Sequence, residues 1–406
     1  MSRRHHHLEG AVKRWKRSLP LCLLVAFTNA ASAQPALDPV AILVSRLDLE
    51  KYKTTIKALT RFGDRRQGTA RNRAAIDWIE EQLKSYGCSN TERLTYQFGA
   101  ERTHYVAPAK PNDSDAPHFN VGGARARGLS RPTGVNTDPS LQPDAKLRAL
   151  DTPPALPGER QEVWCTKIGT THPGEMYIVG AHMDGIGWGE AANDDGSGTA
   201  LVMELARVFS SPDVQTDRSI RFVLWNNEET GLNGAQAYVD QRKALQGIES
   251  PPGSGRYPEP KWLGMIQHDM MLFDHGMPRA DGSVSKVQRP EADVNVEFQA
   301  DSRFAAQSEK LAWALEDANE HYATDYPAAV GRHMTNTDST PFKDMAPAIS
   351  VRENERGAQI GNGWDPQWHQ PTDLFATYGD KDFLLGLNAA QTTLSATARL
   401  AGATLK

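Results

Sequence analysis

Eight side chains bound the chemistry available to this sequence: His182, Asp184, Asp194, Asp195, Glu228, Glu229, Asp269 and His369. Imidazole nitrogens and carboxylate oxygens are what a zinc site takes when cysteine is not used. Four of the eight fall in one stretch, 177–198, reading YIVGAHMDGIGWGEAANDDGSG. It opens as an apolar strand and passes into a Gly-rich loop. A second apolar run, 219–225, leads through Asn226 and Asn227 into the adjacent pair Glu228-Glu229. Two neighbouring carboxylates at the end of a buried strand repel each other unless cations offset them. A pair of metal ions is the simplest offset. Two metals ~3.5–4 Å apart can polarise a carbonyl, acidify a water and stabilise a tetrahedral oxyanion.

These groups need strands to carry them and helices to cover the strands. Residues 45–66 read as a helix. Ile76, Ile79 and Leu83 repeat at helical spacing, and Gly87 is a natural helix end. Leu94, Tyr96 and Phe98 share one side of a strand over 91–98, and a further strand covers 161–169. After the strand at 177–179, a helix from about Thr199 buries Leu201, Val202, Leu205, Val208 and Phe209. The strand over 219–225 precedes a helix at 235–244. The strand over 262–267 ends at His268-Asp269. A helix follows around 311–318, a strand at 346–351, and a closing helix at 384–398. Such alternation predicts an open α/β sheet with helices on both faces. Ligands in such sheets sit beyond the carboxyl ends of the strands, where His182, Glu228-Glu229 and Asp269 fall. Residues 99–160 break the pattern, with many prolines and Gly122-Gly123. They read as a surface excursion leaning over the active site or as a disordered loop.

Length and composition set the outer limits. The chain has 406 residues, 39% hydrophobic, and a formal net charge of -5. That suffices for one large or two modest domains. Residues 1–33 read as an export signal. They have a basic start (Arg3, Arg4, Lys13, Arg14, Lys16, Arg17), an apolar core at 19–27 too short to span a bilayer, and Ala31-Ser32-Ala33 before Gln34. They carry six positive charges and one negative, so the mature chain, 34–406, falls from -5 to -10. An acidic surface argues against a nucleic-acid partner, and no later segment has the run of ~18 apolar residues of a membrane span. The reading is of a periplasmic or extracellular protein. Cys88 and Cys165 remain after cleavage, an even number in an oxidising compartment. They form a disulfide or stay as two buried thiols.

The segments GAHMD, ANDDGSG, NNEETGLNGAQAYV, HDM and WHQPTD resemble, in order and spacing, the co-catalytic dizinc aminopeptidases. That family also includes plasma glutamate carboxypeptidase, the glutaminyl cyclases and the transferrin-receptor ectodomain. The resemblance covers about 47–98 and 161–401. It implies a three-layer α/β/α zinc-exopeptidase fold with a central mixed, mostly parallel sheet. It also implies two zinc ions per chain, peptide substrates and aminopeptidase activity. His182 and Asp269 would bind one ion, Glu229 and His369 the other, and Asp194 would bridge them. Asp184 would orient His182, and Glu228 would be the general base and acid. A cis peptide bond between Asp194 and Asp195 is expected on the same ground. Asp195 itself reads as support for the ligands or as a helix N-terminal acid, and Asp373 as support for His369 or as part of a turn.

The sequence also departs from the family. Trp368 stands where several relatives place a tyrosine oxyanion donor, so an indole N–H would have to serve. Thr337-Asp338-Ser339 replaces the common Ser-Asp-His. Arg352 is the cation that could bind a substrate carboxylate, as a carboxypeptidase or dipeptidase would require, or else it forms a salt bridge. A glutaminyl-cyclase-like acyltransferase with one zinc is a further alternative. A non-catalytic receptor-like domain fits least, because every ligand and the base are present.

Overall fold

A computed structural model describes residues 38–99, 135–150, 157–273, 294–332, 337–353, 365 and 367–406. The leader reading at 1–33, most of the 99–160 excursion, His275 and His333 lie outside the described residues. Ten strands are present among them: β1 (Thr91–Phe98), β2 (Gly158–Lys167), β3 (His172–His182), β4 (Val214–Gln215), β5 (Arg218–Trp225), β6 (Lys261–His268), β7 (Val294–Phe298), β8 (Ala328–Gly331), β9 (Ala348–Arg352) and β10 (Thr404–Leu405). Eight form one sheet in the order β1-β2-β5-β3-β6-β9-β7-β8, while β4 pairs with β10. The four central strands, β5, β3, β6 and β9, are mutually parallel, and β7 pairs with β8 in the same sense. The β1–β2, β2–β5 and β7–β9 pairs are antiparallel. The sheet is therefore mixed and mostly parallel, as expected from the family resemblance.

Among the described residues eight α-helices accompany the strands: α1 (Pro39–Val44), α2 (Leu49–Thr60), α3 (Ala70–Ser85), α4 (Ala145–Ala149), α5 (Gly196–Phe209), α6 (Asn233–Arg242), α7 (Ala305–Tyr322) and α8 (Asp380–Ala401). Central parallel strands are buried on both faces and must be apolar on both. In β5, Ile220, Phe222 and Leu224 face a large core shared with α2, α5, α7 and α8. Val223 and Trp225 face a smaller core closed by Ala235, Tyr238 and Val239 of α6. Helix α5 lies deepest, and Arg207 is its single residue not fully buried. A helix that is apolar all round belongs in a core, which is why its small and aliphatic residues suit this place.

Two readings of the chain change here. The helix expected over 45–66 is shorter, α2 alone covering Leu49–Thr60, because the Asp48 carboxylate accepts hydrogen bonds from the backbone N–H of Glu50 and Lys51 and starts the helix there, while α1 lies before the expected range. Strands β7 and β8 escape the pattern, since the polar Asn295 and Glu297 of β7 are buried rather than solvated. Cys88 and Cys165 are bonded to each other with their Cα atoms 6.1 Å apart. The bond fastens the end of α3 to β2. Among the described residues no helix is long and apolar enough to cross a membrane.

Candidate metal centre and active site

Strand register brings the ligand-bearing positions to one edge. His182, the last residue of β3, pairs with Trp225 at the end of β5, and Ala181 pairs with His268 at the end of β6. Glu228 and Glu229 therefore emerge beside His182 on one side, and Asp269 on the other. Asp194 and Asp195 immediately precede α5, and His369 lies in the turn before α8.

Asp194 stands between two imidazoles. Its Oδ1 is 3.2 Å from His182 Nε2 and its Oδ2 is 2.9 Å from His369 Nε2. Glu229 Oε2 lies 2.9 Å from the same His369 nitrogen, and Asp269 Oδ1 lies 4.0 Å from His182 Nε2. Ligand atoms of His182, Asp194 and Glu229 converge within 4.8 Å, as do those of His182, Glu228 and Asp269. The other ring nitrogen of His182 donates to the Asp184 carbonyl at 2.9 Å, which turns Nε2 toward the carboxylates. Glu229 Oε1 is buried without a hydrogen-bond partner among the described residues. Carboxylates outnumber cations, their oxygens converge, and one is left unsatisfied. The donor set fits divalent metal ions.

The electrostatics say the same. Burial would push the His182 imidazole down, but Glu228, Asp194 and Asp195 outweigh it and raise it well above the usual histidine value. His369 is likewise lowered by burial but pulled up to about 10 by Glu229 and Asp194. Burial raises Asp194, yet its contacts with His182 and His369 hold it below the carboxylate range. Burial raises Glu229 to about 7. Glu228 is raised well above its ordinary value by burial, opposed by His182 and reinforced by Glu229, Asp338 and Asp269. This cluster holds extra protons where it would otherwise hold cations.

Around the ligands, several side chains act on backbone. The Asp184 carboxylate does not engage the His182 ring closely, its Oδ1 being 3.9 Å from Nδ1. It accepts instead from the backbone N–H of Glu228 at 3.0 Å. The orienting contact to His182 comes from the Asp184 main chain, so the residue holds both the His182 ring and the Glu228 backbone. Asp195 caps α5 through Gly198 N–H at 2.9 Å and also accepts from the backbone N–H of His182 and Met270. It thereby ties the ends of β3 and β6 to the helix. The Asp194–Asp195 peptide bond is cis. His268 donates to the Gly180 carbonyl and accepts from the Thr393 hydroxyl, and burial lowers it to about 4. It is a neutral core histidine.

The expected substrate contacts sit differently. Arg352 is buried with Nη2 2.8 Å from Asp269 Oδ2 and Nε 3.8 Å from Glu297 Oε2. Of the two readings of this cation, the geometry matches the salt bridge, behind a ligand rather than in front of one. The Trp368 ring stacks on that of His369, centroids 4.0 Å apart. Asp373 does not contact the His369 ring. It accepts from the backbone N–H of Asn193 and Asp194 at 2.8 and 3.1 Å and from the Tyr378 hydroxyl.

Arg65 escapes a sequence reading altogether. It is fully buried, and its guanidinium donates to the carbonyls of Met183, Glu190 and Ala191 at 2.6, 2.9 and 2.7 Å. It braces the loop between His182 and Asp194. In the sequence it is one arginine among several before Gly68, with nothing to mark it. Asp338 is similarly buried; its carboxylate accepts from Gln267 at 3.4 Å.

An open, mostly parallel sheet with imidazoles and carboxylates gathered at its carboxyl edge has the donor set of a metal-dependent hydrolase. Residues 165–385 match the model of peptidase family M28, and the chain belongs to that family. It is 25% identical over 274 residues to the probable lipoprotein aminopeptidase LpqL of Mycobacterium tuberculosis, covering 66% of this chain and 48% of that one. The chain thus spans less than half the length of the curated relatives it first matches. Its fold is shared with the aminopeptidase from Aneurinibacillus sp. strain AM-1, at a TM-score of 0.56 and 20% identity over 89% of this chain and 95% of the other. It is shared equally with a zinc aminopeptidase from Bacillus subtilis, at a TM-score of 0.55 and 16% identity over 87% and 95%.

Proposed function

We propose that this chain is an exported, zinc-dependent aminopeptidase that removes N-terminal residues from peptides. The observation that carries the reading is the placement of Asp194, with one oxygen toward each of two imidazoles and Glu228 alongside. His182 and Asp269 would hold one ion, Glu229 and His369 the other, with Asp194 shared. Two bound ions supply a Lewis acid for the scissile carbonyl and an acidified water as nucleophile.

The protein's own residues do the rest. Glu228, whose backbone is held by Asp184, takes the proton of the attacking water and delivers it to the departing amine. A carboxyl raised by burial and neighbouring charge is matched to that exchange near neutral pH. The acidic rim favours a substrate end carrying a positive α-amino group. Trp368, through its indole N–H, is our candidate donor to the developing oxyanion.

A carboxypeptidase would need a cation for the substrate carboxylate. Arg352, its candidate, is engaged with Asp269 and Glu297, which favours the aminopeptidase reading. The test pairs metal analysis with substrate choice. Zinc-reconstituted protein should hold two ions and cleave peptides with a free amino terminus while sparing N-acetylated ones. Preference for the blocked peptides would reject the aminopeptidase assignment. A single tightly bound ion would move the assignment toward cyclase chemistry.

A further inference from the structure

The described end of the Pro-rich excursion, residues 135–150, touches both loops that carry ligands. Gln142 is fully buried. Its Nε2 donates to the Trp188 carbonyl at 2.7 Å and to the Pro371 carbonyl at 2.9 Å. Its Oε1 accepts from the backbone N–H of Asp144 at 3.0 Å. Both amide hydrogens and the amide oxygen are therefore committed, and the orientation of the group is fixed. Trp188 belongs to the loop between His182 and Asp194, and Pro371 follows His369 by two residues. A few residues upstream, the backbone N–H of Asn136 donates to the carbonyl of His369 itself at 3.0 Å. Its side-chain amide reaches the Gly187 carbonyl.

The two bridged loops pack main chain against main chain. A Cβ on Gly187 would lie 2.3 Å from the His369 carbonyl carbon, and one on Gly189 would lie 2.7 Å from the Gln370 oxygen. Glu190 N–H donates to the Asp373 carbonyl at 2.8 Å. His369 has a positive φ of 56° and no helix or strand to hold it. Its position depends on these loop-to-loop contacts.

We propose that residues 135–150 form a clip that sets the distance between the two ligand loops, with Gln142 as its positioning residue. The clip lies outside the 165–385 segment matched by the family model, so it adds to the family core. A neutral side chain with two N–H groups suits the task, because it can bridge two carbonyls without adding charge beside the site. The clip acts chiefly on the His369–Glu229 side of the centre, since His182 and Asp269 are fixed by strand ends. This part of the argument rests on the reading of His369 as a metal ligand.

Two variants test it. Gln142→Met keeps the volume and removes the hydrogen bonds, and Gln142→Glu sets a carboxylate against two carbonyls. In zinc-loaded full-length protein under a chelator, Gln142→Met should release one of the two ions about 10–100-fold faster, the scale of lost support around a metal ligand. The other ion should leave at the wild-type rate. Gln142→Glu should exceed that effect. In metal-free protein, amide hydrogen exchange over 367–376 should rise in both variants while that of β3 and β5 stays unchanged. The proposal is overturned if release rates and exchange both match wild type. Equal acceleration of both ions with exchange rising throughout the sheet also overturns it, since that marks general destabilisation. If wild-type protein holds fewer than two ions, the two-metal reading fails, and the exchange measurement still decides the clip.

Discussion

At the scale of single residues, the centre is a contest between protons and cations. His369, pulled up to about 10, holds its proton in the metal-free protein at neutral pH, and Glu229, raised to about 7, is about half protonated there. Metal ions must displace those protons. Zinc affinity should therefore strengthen as pH rises through about 7 and on toward about 10, where Glu229 and then His369 lose their protons, with protons released on binding. Calorimetry in buffers of different ionisation enthalpy would measure the release, and its absence would mean that other groups bind the metal. Glu228→Gln keeps the shape and removes the proton exchange. We expect kcat to fall by about 10²–10⁴-fold with both ions retained, read by steady-state kinetics alongside metal analysis. The convergence of the candidate ligands was legible because they follow apolar runs or sit in a Gly-rich motif. Arg65 was not, because its partners are backbone atoms far away in sequence, and the same distance hid the backbone partners of Asp373. Asp184 does contact the His182 ring, through its main-chain carbonyl, but nothing in the sequence marked the Glu228 N–H as the target of its carboxylate.

Elements decide where those residues arrive. The site depends on the register of β3 between β5 and β6, and Gly180 is a tight point in it. A Cβ there would lie 2.3 Å from Trp225 Nε1 and 3.2 Å from Gln267 Oε1, two groups already hydrogen-bonded to each other. Gly180→Ala should lower stability by about 1–3 kcal/mol, as overpacking in a dense core does. It should also weaken metal binding, because His182 lies two residues on. Urea denaturation and zinc titration would show both, and a neutral effect on each would mean that Trp225 repacks freely. The strongly apolar strands, β3, β5, β6 and β9, could be read from the sequence. Strand β7 could not, since its polar Asn295 and Glu297 are buried rather than exposed by alternation, and β8 could not, since its four residues, Ala-Ala-Val-Gly, are too few to show a period. Helix α1 went unread because six residues show little periodicity, and α2 was expected to start too early because its capping carboxylate, Asp48, is one polar residue in a polar run.

For the whole molecule, the disulfide is the covalent anchor. Cys88 and Cys165 are 77 residues apart in sequence, and a bond closing a loop of that size is worth about 2–5 kcal/mol. Reduction should lower the denaturation midpoint by the corresponding amount, and an unchanged midpoint would show that core packing alone holds β2 to α3. Sequence reading left the pairing open because distance between two cysteines is a property of the tertiary fold. It foresaw the layered architecture, because alternation of helices and strands admits few arrangements.

The placement of the candidate ligands has a consequence for how the chain comes apart. They lie in segments that follow three different strands and in the turn before the last helix, so bound ions would act as a removable cross-link spanning much of the polypeptide. The disulfide ties β2 to the end of α3 and does not respond to chelators. Stripping the metal should then loosen the candidate ligand loops while β2 stays stapled to α3. A protease added to chelated, unreduced protein should nick the loops around Trp188 and Pro371 before it reaches β1 and β2.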